Sequence, residues 1–177
     1  SENSTIVTGA SLSPITVSSS INSSMSIFVP PLLLLFPVFT VPDPFETRSQ
    51  TTTTAKMIVE TTHKVFFLIV GSGDMERQII SQAASLGISD KVLFAGFLRG
   101  DELLRVYKMA DCFVLPSVSE PFGISALESI VNGTPVILSK QSGVSEVLSH
   151  ALKVDFWDTD EMAAKILSVL NYDALHL

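Results

Sequence analysis

The sequence is short of cysteine, of cationic residues and of histidine, and each shortage removes a class of function. Cys112 is the single cysteine among 177 residues, so no internal disulfide can form. It lies between apolar neighbours in Ala110-Asp-Cys-Phe-Val-Leu115, which reads as a small buried apolar side chain and fits a reducing, cytoplasmic compartment. Eleven Lys and Arg stand against 18 Asp and Glu, a formal charge of −7 with a pI near 4.8, and no basic stripe offsets it. Such a field repels polyanions, so a nucleic-acid partner is not expected. His63, His150 and His176 are far apart and have no Cys, Asp or Glu at metal-ligand spacing, so no metal site is expected. What is present in quantity is apolar, 46% of the chain, enough for one domain with a real core.

That apolar content is unevenly spread. Ser and Thr dominate up to Ser26 and recur as Thr51-Thr-Thr-Thr54, a low-complexity composition. Between them, residues 27–41 form an apolar run that is shorter than the roughly 20 residues a spanning helix needs. Pro30, Pro31 and Pro37 remove helix donors within it, and no Lys or Arg precedes Arg48 as a secretory signal would require. Both points argue against a membrane anchor there, although 27–41 is the one segment through which membrane association stays open. Residues 1–54 are therefore expected to be irregular or disordered and not a domain, and residues 55–177 to hold the fold. With the initial Ser1, the shift in composition reads as a fragment or an aberrant gene model.

From Ala55 onward, short apolar runs alternate with amphipathic stretches. Val65-Phe-Phe-Leu-Ile-Val70 is a continuous apolar run closed by Gly71, as in a parallel strand buried on both faces. Met75, Ile79, Ile80, Ala83 and Leu86 then recur at helical spacing, and Gly87 closes that helix. Further strands are predicted at residues 92–95, 112–115, 135–138 and 152–154. Helices are predicted after Asp101 as cap, over 123–132, over 144–148, and from Asp158 with Glu161 in capping-box spacing. This alternation implies right-handed crossovers and an α/β, Rossmann-like fold, a mostly parallel sheet with helices on both faces. Ligands of such sheets sit beyond the carboxyl ends of the strands, so the chemistry is sought after Val70, Ala95, Leu115 and Leu138.

Gly71-Ser-Gly73-Asp74 permits a tight turn with close backbone approach to a ligand, or simply a turn that needs positive φ. It fails as a dinucleotide fingerprint, because the third glycine would fall at Glu76. The richest segment is Glu120-Pro-Phe-Gly-Ile-Ser-Ala-Leu-Glu128. Pro121 favours an extended Glu120, Gly123 frees the backbone, and a helix then begins whose amides can receive the diphosphate of a nucleotide donor. Glu120 and Glu128 would flank that position. The plainer alternative is that Ser125-Ala-Leu-Glu128 is a capping box and Glu120 an exposed loop acid. Phe97, after the second strand, could meet a base or ribose or could belong to the core. Lys140 could neutralise a phosphate or be a surface lysine.

Taken in order, these segments resemble a known family. The series Val-Gly-Ser-Gly-Asp74, Val-Leu-Phe-Ala-Gly-Phe97, Ala-Asp-Cys-Phe-Val-Leu-Pro-Ser117, two glutamates eight apart, Gly133-Thr-Pro-Val136 and Ser142-Gly-Val-Ser-Glu146 resembles the C-terminal domain of retaining glycosyltransferases with two Rossmann-like domains. These are the GT-B fold enzymes of glycosyl transferases group 1, which include sucrose and bacterial glycogen synthases. The resemblance covers roughly residues 64–170. It implies a UDP-, ADP- or GDP-sugar as donor, no cofactor and no metal. It implies further that Glu120 is the catalytic acid at the donor sugar and that Glu128 holds the ribose hydroxyls. Gly123 and Ile124 would contact the diphosphate, Phe97 or its neighbours the base, Phe122 would be a further donor contact, and Gly71 and Gly73 would line the cleft.

The chain departs from that pattern in two ways. The family holds its acceptor, a glycan or small molecule, mainly through an N-terminal domain, and nothing before Lys64 reads as one. The family also opens its C-terminal domain with a strand, an Arg and Lys pair for the diphosphate and a helix; here residues 51–60 would supply only part of the helix. The expectation is a donor-binding unit, open at a sheet edge and inactive alone, with a non-catalytic interaction module as the alternative.

Overall fold

A computed structural model of the chain describes residues 5–6, 15–16, 32–37, 44–73, 76–117 and 122–175. A short antiparallel pair, β1 (Thr5–Ile6) and β2 (Ile15–Thr16), precedes the main body. The body then runs β3 (Leu33–Pro37), α1 (Pro44–Thr61), β4 (Phe66–Val70), α2 (Glu76–Ser85), β5 (Val92–Gly96), α3 (Gly100–Met109) and β6 (Cys112–Leu115). It continues with α4 (Ile124–Val131), β7 (Val136–Ser139), α5 (Val144–Val147), β8 (Leu152–Val154) and α6 (Thr159–Leu175). Strands β3 to β8 form one sheet in the order β5-β4-β3-β6-β7-β8, and every neighbouring pair is parallel. The α/β, Rossmann-like class is as expected.

The side chains explain the layering. Successive residues of a strand point to opposite faces, so apolar residues at every position are stable only where both faces are covered. Leu34, Phe36, Phe67, Ile69, Cys112, Val114 and Ile137 join one core with Ile58 of α1, Ala83 of α2 and Met162 and Ile166 of α6. Leu33, Leu35, Leu68, Phe113, Leu115 and Leu138 join the other with Val106 and Tyr107 of α3, Ala126 of α4 and Val144 of α5. Each fully buried large side chain contributes about 1.5–3 kcal/mol relative to exposure.

The largest departure from the sequence reading is at the N-terminal side. Leu33–Pro37, inside the apolar run, is a central strand of the sheet, paired with β4 on one side and β6 on the other. Helix α1 begins at Pro44, a residue suited to a first helical turn because its missing N–H has no partner to lose there. The folded body therefore takes in residues upstream of the expected boundary at 55. The opening strand expected to be absent is supplied, and the sheet edges are β5 and β8. Leu33 to Phe36 are buried in the two cores, which accounts for their hydrophobicity without a membrane. Among the described residues no helix is long and apolar enough to cross one.

Asp111 fastens this strand. Leu33 N–H donates to Asp111 Oδ2 at 2.5 Å while Asp111 N–H donates to Leu33 O at 2.9 Å, so one residue pairs with both backbone groups at the start of β3. Smaller corrections concern helix ends. Asp101 does not cap α3; the cap position is Arg99, without a side-chain bond, and Asp101 sits in the first turn, where its charge suits the helix dipole. Val106 and Tyr107 are the buried residues of α3, whereas Leu104 is exposed. Asp158 does cap α6, accepting the Glu161 N–H at 2.8 Å, whereas the Glu161 carboxylate turns to Lys165 at 2.8 Å.

Candidate donor site

With β3 in place, the strand order is that of a doubly wound sheet, in which the chain proceeds outward from the centre first to one side and then to the other. The order reverses between β3 and β6. The helices that follow those two strands, α1 and α4, pack on opposite faces of the sheet, and ligands of such sheets bind at that switch point. Helix α4 is the next element after β6, so Phe122 to Glu128 lies at the topological switch point. Glu120 itself falls outside the described residues, as does Asp74.

Gly123 governs the entry to α4. It occupies the N-cap position in the left-handed region, φ 67° and ψ 50°, and makes no side-chain cap. A Cβ there would stand 2.8 Å from Val144 Cγ1 and 3.2 Å from Leu115 Cδ2, so both the backbone conformation and the packing against α5 and β6 demand glycine. Because the helix already begins at Ile124, Ser125 lies within it and the alternative capping box does not form. Phe122 and Ile124 on either side of Gly123 are 52% and 63% exposed, unusual for large apolar groups beside a buried turn.

Across β3 lie the loops after β4 and β5. Gly71 adopts φ 125°, and its N–H donates to Gly96 O at 2.7 Å, which joins the two loops. Gly73 O accepts the Glu76 N–H at 3.2 Å and so closes the turn into α2. Phe97 is 61% exposed, so it is not core, and the Arg99 guanidinium lies 4.6 Å from its ring centroid. With strands about 4.8 Å apart, the carboxyl ends of β4 and β6, on either side of β3, stand roughly 10 Å from one another.

Two residues have roles the sequence did not disclose. Lys140, a candidate phosphate partner, is paired with Asp155 at 2.7 Å, and Gln141 Nε2 donates to the other oxygen of that carboxylate at 3.0 Å. The hydrogen bond from Lys140, helped by Gln141, holds the Asp155 carboxyl below the usual range, and the same bond raises the lysine. Lys140 thus ties the ends of β7 and β8 together. Tyr107, readable in the sequence only as an inward helix residue, donates its hydroxyl to Glu128 Oε2 at 3.1 Å. No spacing rule brings α3 and α4 together at that point.

Residues 50–176 match the pattern of the family described as glycosyl transferases group 1. The chain belongs to that family. Among curated proteins, this glycosyltransferase chain is 47% identical over 88 residues to an uncharacterized glycosyltransferase of Methanocaldococcus jannaschii, covering 50% of the chain and 23% of the relative. It is 34% identical over 119 residues to mannosylfructose-phosphate synthase of Agrobacterium fabrum, covering 62% and 26%. The chain thus spans about a quarter of the length of these two relatives. Among solved structures it resembles S. aureus TarM, crystallised with fondaparinux, alpha-GlcNAc-glycerol and UDP, with TM-score 0.71 and 19% identity over 88% of this chain and 32% of TarM. Anabaena HepE in complex with UDP-glucose gives TM-score 0.68 and 19% identity over 81% and 40%. At such identities these likenesses establish the GT-B fold alone.

Proposed function

We propose that the chain is the nucleotide-sugar-binding part of a retaining hexosyltransferase, taking a UDP-, ADP- or GDP-sugar at the crevice between β3 and β6. The observation that carries this reading is the Gly123-opened helix at the switch point, with Glu128 one turn beyond its N-terminus. The first-turn amides of α4 would receive the diphosphate, where the helix dipole favours negative charge. Glu128, about 6 Å further along the helix at 1.5 Å per residue, would accept the ribose hydroxyls. Gly71 and Gly73 would line the cleft, Phe97 or its neighbours would meet the base, and Phe122 would be a further donor contact.

Retaining transfer with attack from the leaving-group face asks the protein to stabilise a departing diphosphate and a cationic sugar more than to supply a covalent nucleophile. Glu120 would serve at the sugar. The sequence between β3 and α1, residues 38–43, holds no Lys or Arg, so the family's cationic pair is not found after the opening strand. The acceptor, a glycan or small molecule, would be held by a further domain. The chain on its own is therefore expected to bind donor without transferring sugar. The TarM and HepE complexes, with UDP and UDP-glucose, support a nucleotide-sugar ligand.

The test is calorimetry with UDP, ADP and GDP at millimolar concentration. One of them is expected to bind, and Glu128→Ala to weaken it by about tenfold, the scale of one hydrogen-bonded charged group. Absence of heat with all three nucleotides removes the donor reading.

A further inference from the structure

Tyr107 is a positioning residue for Glu128, we infer, and through it sets the selectivity of the site for an intact ribose; the inference rests on the donor reading above. Tyr107 is 2% exposed, yet its hydroxyl is not spent on the core; it reaches across from α3 to the carboxylate on α4. Its own position is fixed from two sides. Its ring packs edge-on against Phe113 at 6.0 Å, and its backbone carbonyl accepts the Thr134 hydroxyl at 2.5 Å. Thr134 follows α4 directly, so α3 and the segment around α4 are laced at both ends of one residue.

An exposed glutamate side chain ordinarily samples several rotamers, and holding it in one costs conformational entropy that a ligand would otherwise have to meet. The phenol restrains it in advance. It engages Oε2 only; among the described residues Oε1 keeps no hydrogen-bond partner, which leaves an acceptor for a ligand hydroxyl. Burial, and after it the Glu128 charge and hydrogen bond, push the phenol's pKa up, which favours the hydroxyl as the donor of this bond. A side chain held through one oxygen and open at the other suits the hydroxyls of a ribose and has nothing to offer a ribose without them.

The test uses Tyr107→Phe, which removes one oxygen and keeps the ring. Affinities for UDP, ADP and GDP are measured beside those for their 2′,3′-dideoxy counterparts, in the wild-type chain and the variant. The expected result is a three- to tenfold loss for the nucleotide that binds, no change for its dideoxy form, and so a reduced preference for the hydroxylated ribose. In a Glu128→Ala background, Tyr107→Phe is expected to have no effect on either ligand. Equal losses for both forms, or a loss that persists without Glu128, would show that Tyr107 merely supports the fold and overturn the inference. A wild-type chain that binds a nucleotide but does not prefer ribose over dideoxyribose overturns it too, while leaving the donor site standing. A wild-type chain that binds none removes both.

Discussion

The turn before α4 should be intolerant of a single methyl group. In Gly123→Ala the residue must keep φ near 67°, a left-handed conformation that costs an L-residue roughly 1–2 kcal/mol. The new Cβ also meets Val144 Cγ1 at 2.8 Å and Leu115 Cδ2 at 3.2 Å. Both partners belong to the core on that face, and forcing a methyl into a packed core costs typically another 1–3 kcal/mol. The sum is about 2–5 kcal/mol. For a chain of this size that lowers Tm by roughly 5–15 °C. Gly87→Ala and Gly133→Ala are internal controls, since these glycines have φ of 70° and 89° but nothing within 4 Å of a Cβ. They should lose only the backbone part, about 1–2 kcal/mol. Urea unfolding of the three variants, with Gly123→Ala also combined with Val144→Ala, separates the two costs: the double variant should be more stable than the summed single effects by about 1 kcal/mol or more. If Gly123→Ala is no worse than the controls, the close packing of α4 against α5 is wrong.

Other outcomes follow from the remaining contacts. Asp111→Ala removes the acceptor for Leu33 N–H and should cost about 1–3 kcal/mol in urea unfolding, with Asp111→Asn milder because it keeps an acceptor oxygen. Leu34→Ala, in the middle of the sheet, should cost about 2–5 kcal/mol; a loss below ~1 kcal/mol would mean that β3 is not a core strand. The Lys140 and Asp155 pair should leave a signature in acid. A carboxyl held below its unfolded value of about 3.8 stabilises the fold above that value and ceases to do so as pH falls through the folded one. The stability difference between wild type and Lys140→Ala should therefore be constant near neutrality and shrink below about pH 4; a difference unchanged down to pH 2 would argue against the pair.

Periodicity and punctuation determined most of the architecture. Continuous apolar runs bounded by Gly and helical spacing between them sufficed for β4 to β8 and for most of the helices, because those signals are local and physical. The order of motifs was enough to suggest the family, since several short patterns in sequence are far more restrictive than one. What the sequence could not decide was the fate of Leu33–Pro37. A five-residue apolar stretch flanked by prolines satisfies a hydropathy scan, a leader or a buried strand equally well. Only pairing with β4, some thirty residues later, and with β6, nearly eighty later, selects the strand. The same limit applies to the site. Gly123 announces a turn in sequence, but the need for glycine there comes from Val144 and Leu115. Glu128 was legible as a carboxylate near a helix start, whereas its partner Tyr107 was not, because the contact joins two helices whose relative placement is set by how their apolar faces share one side of the sheet. Local pattern determined which elements exist, and tertiary packing decided which strand is central and which side chains of neighbouring helices meet.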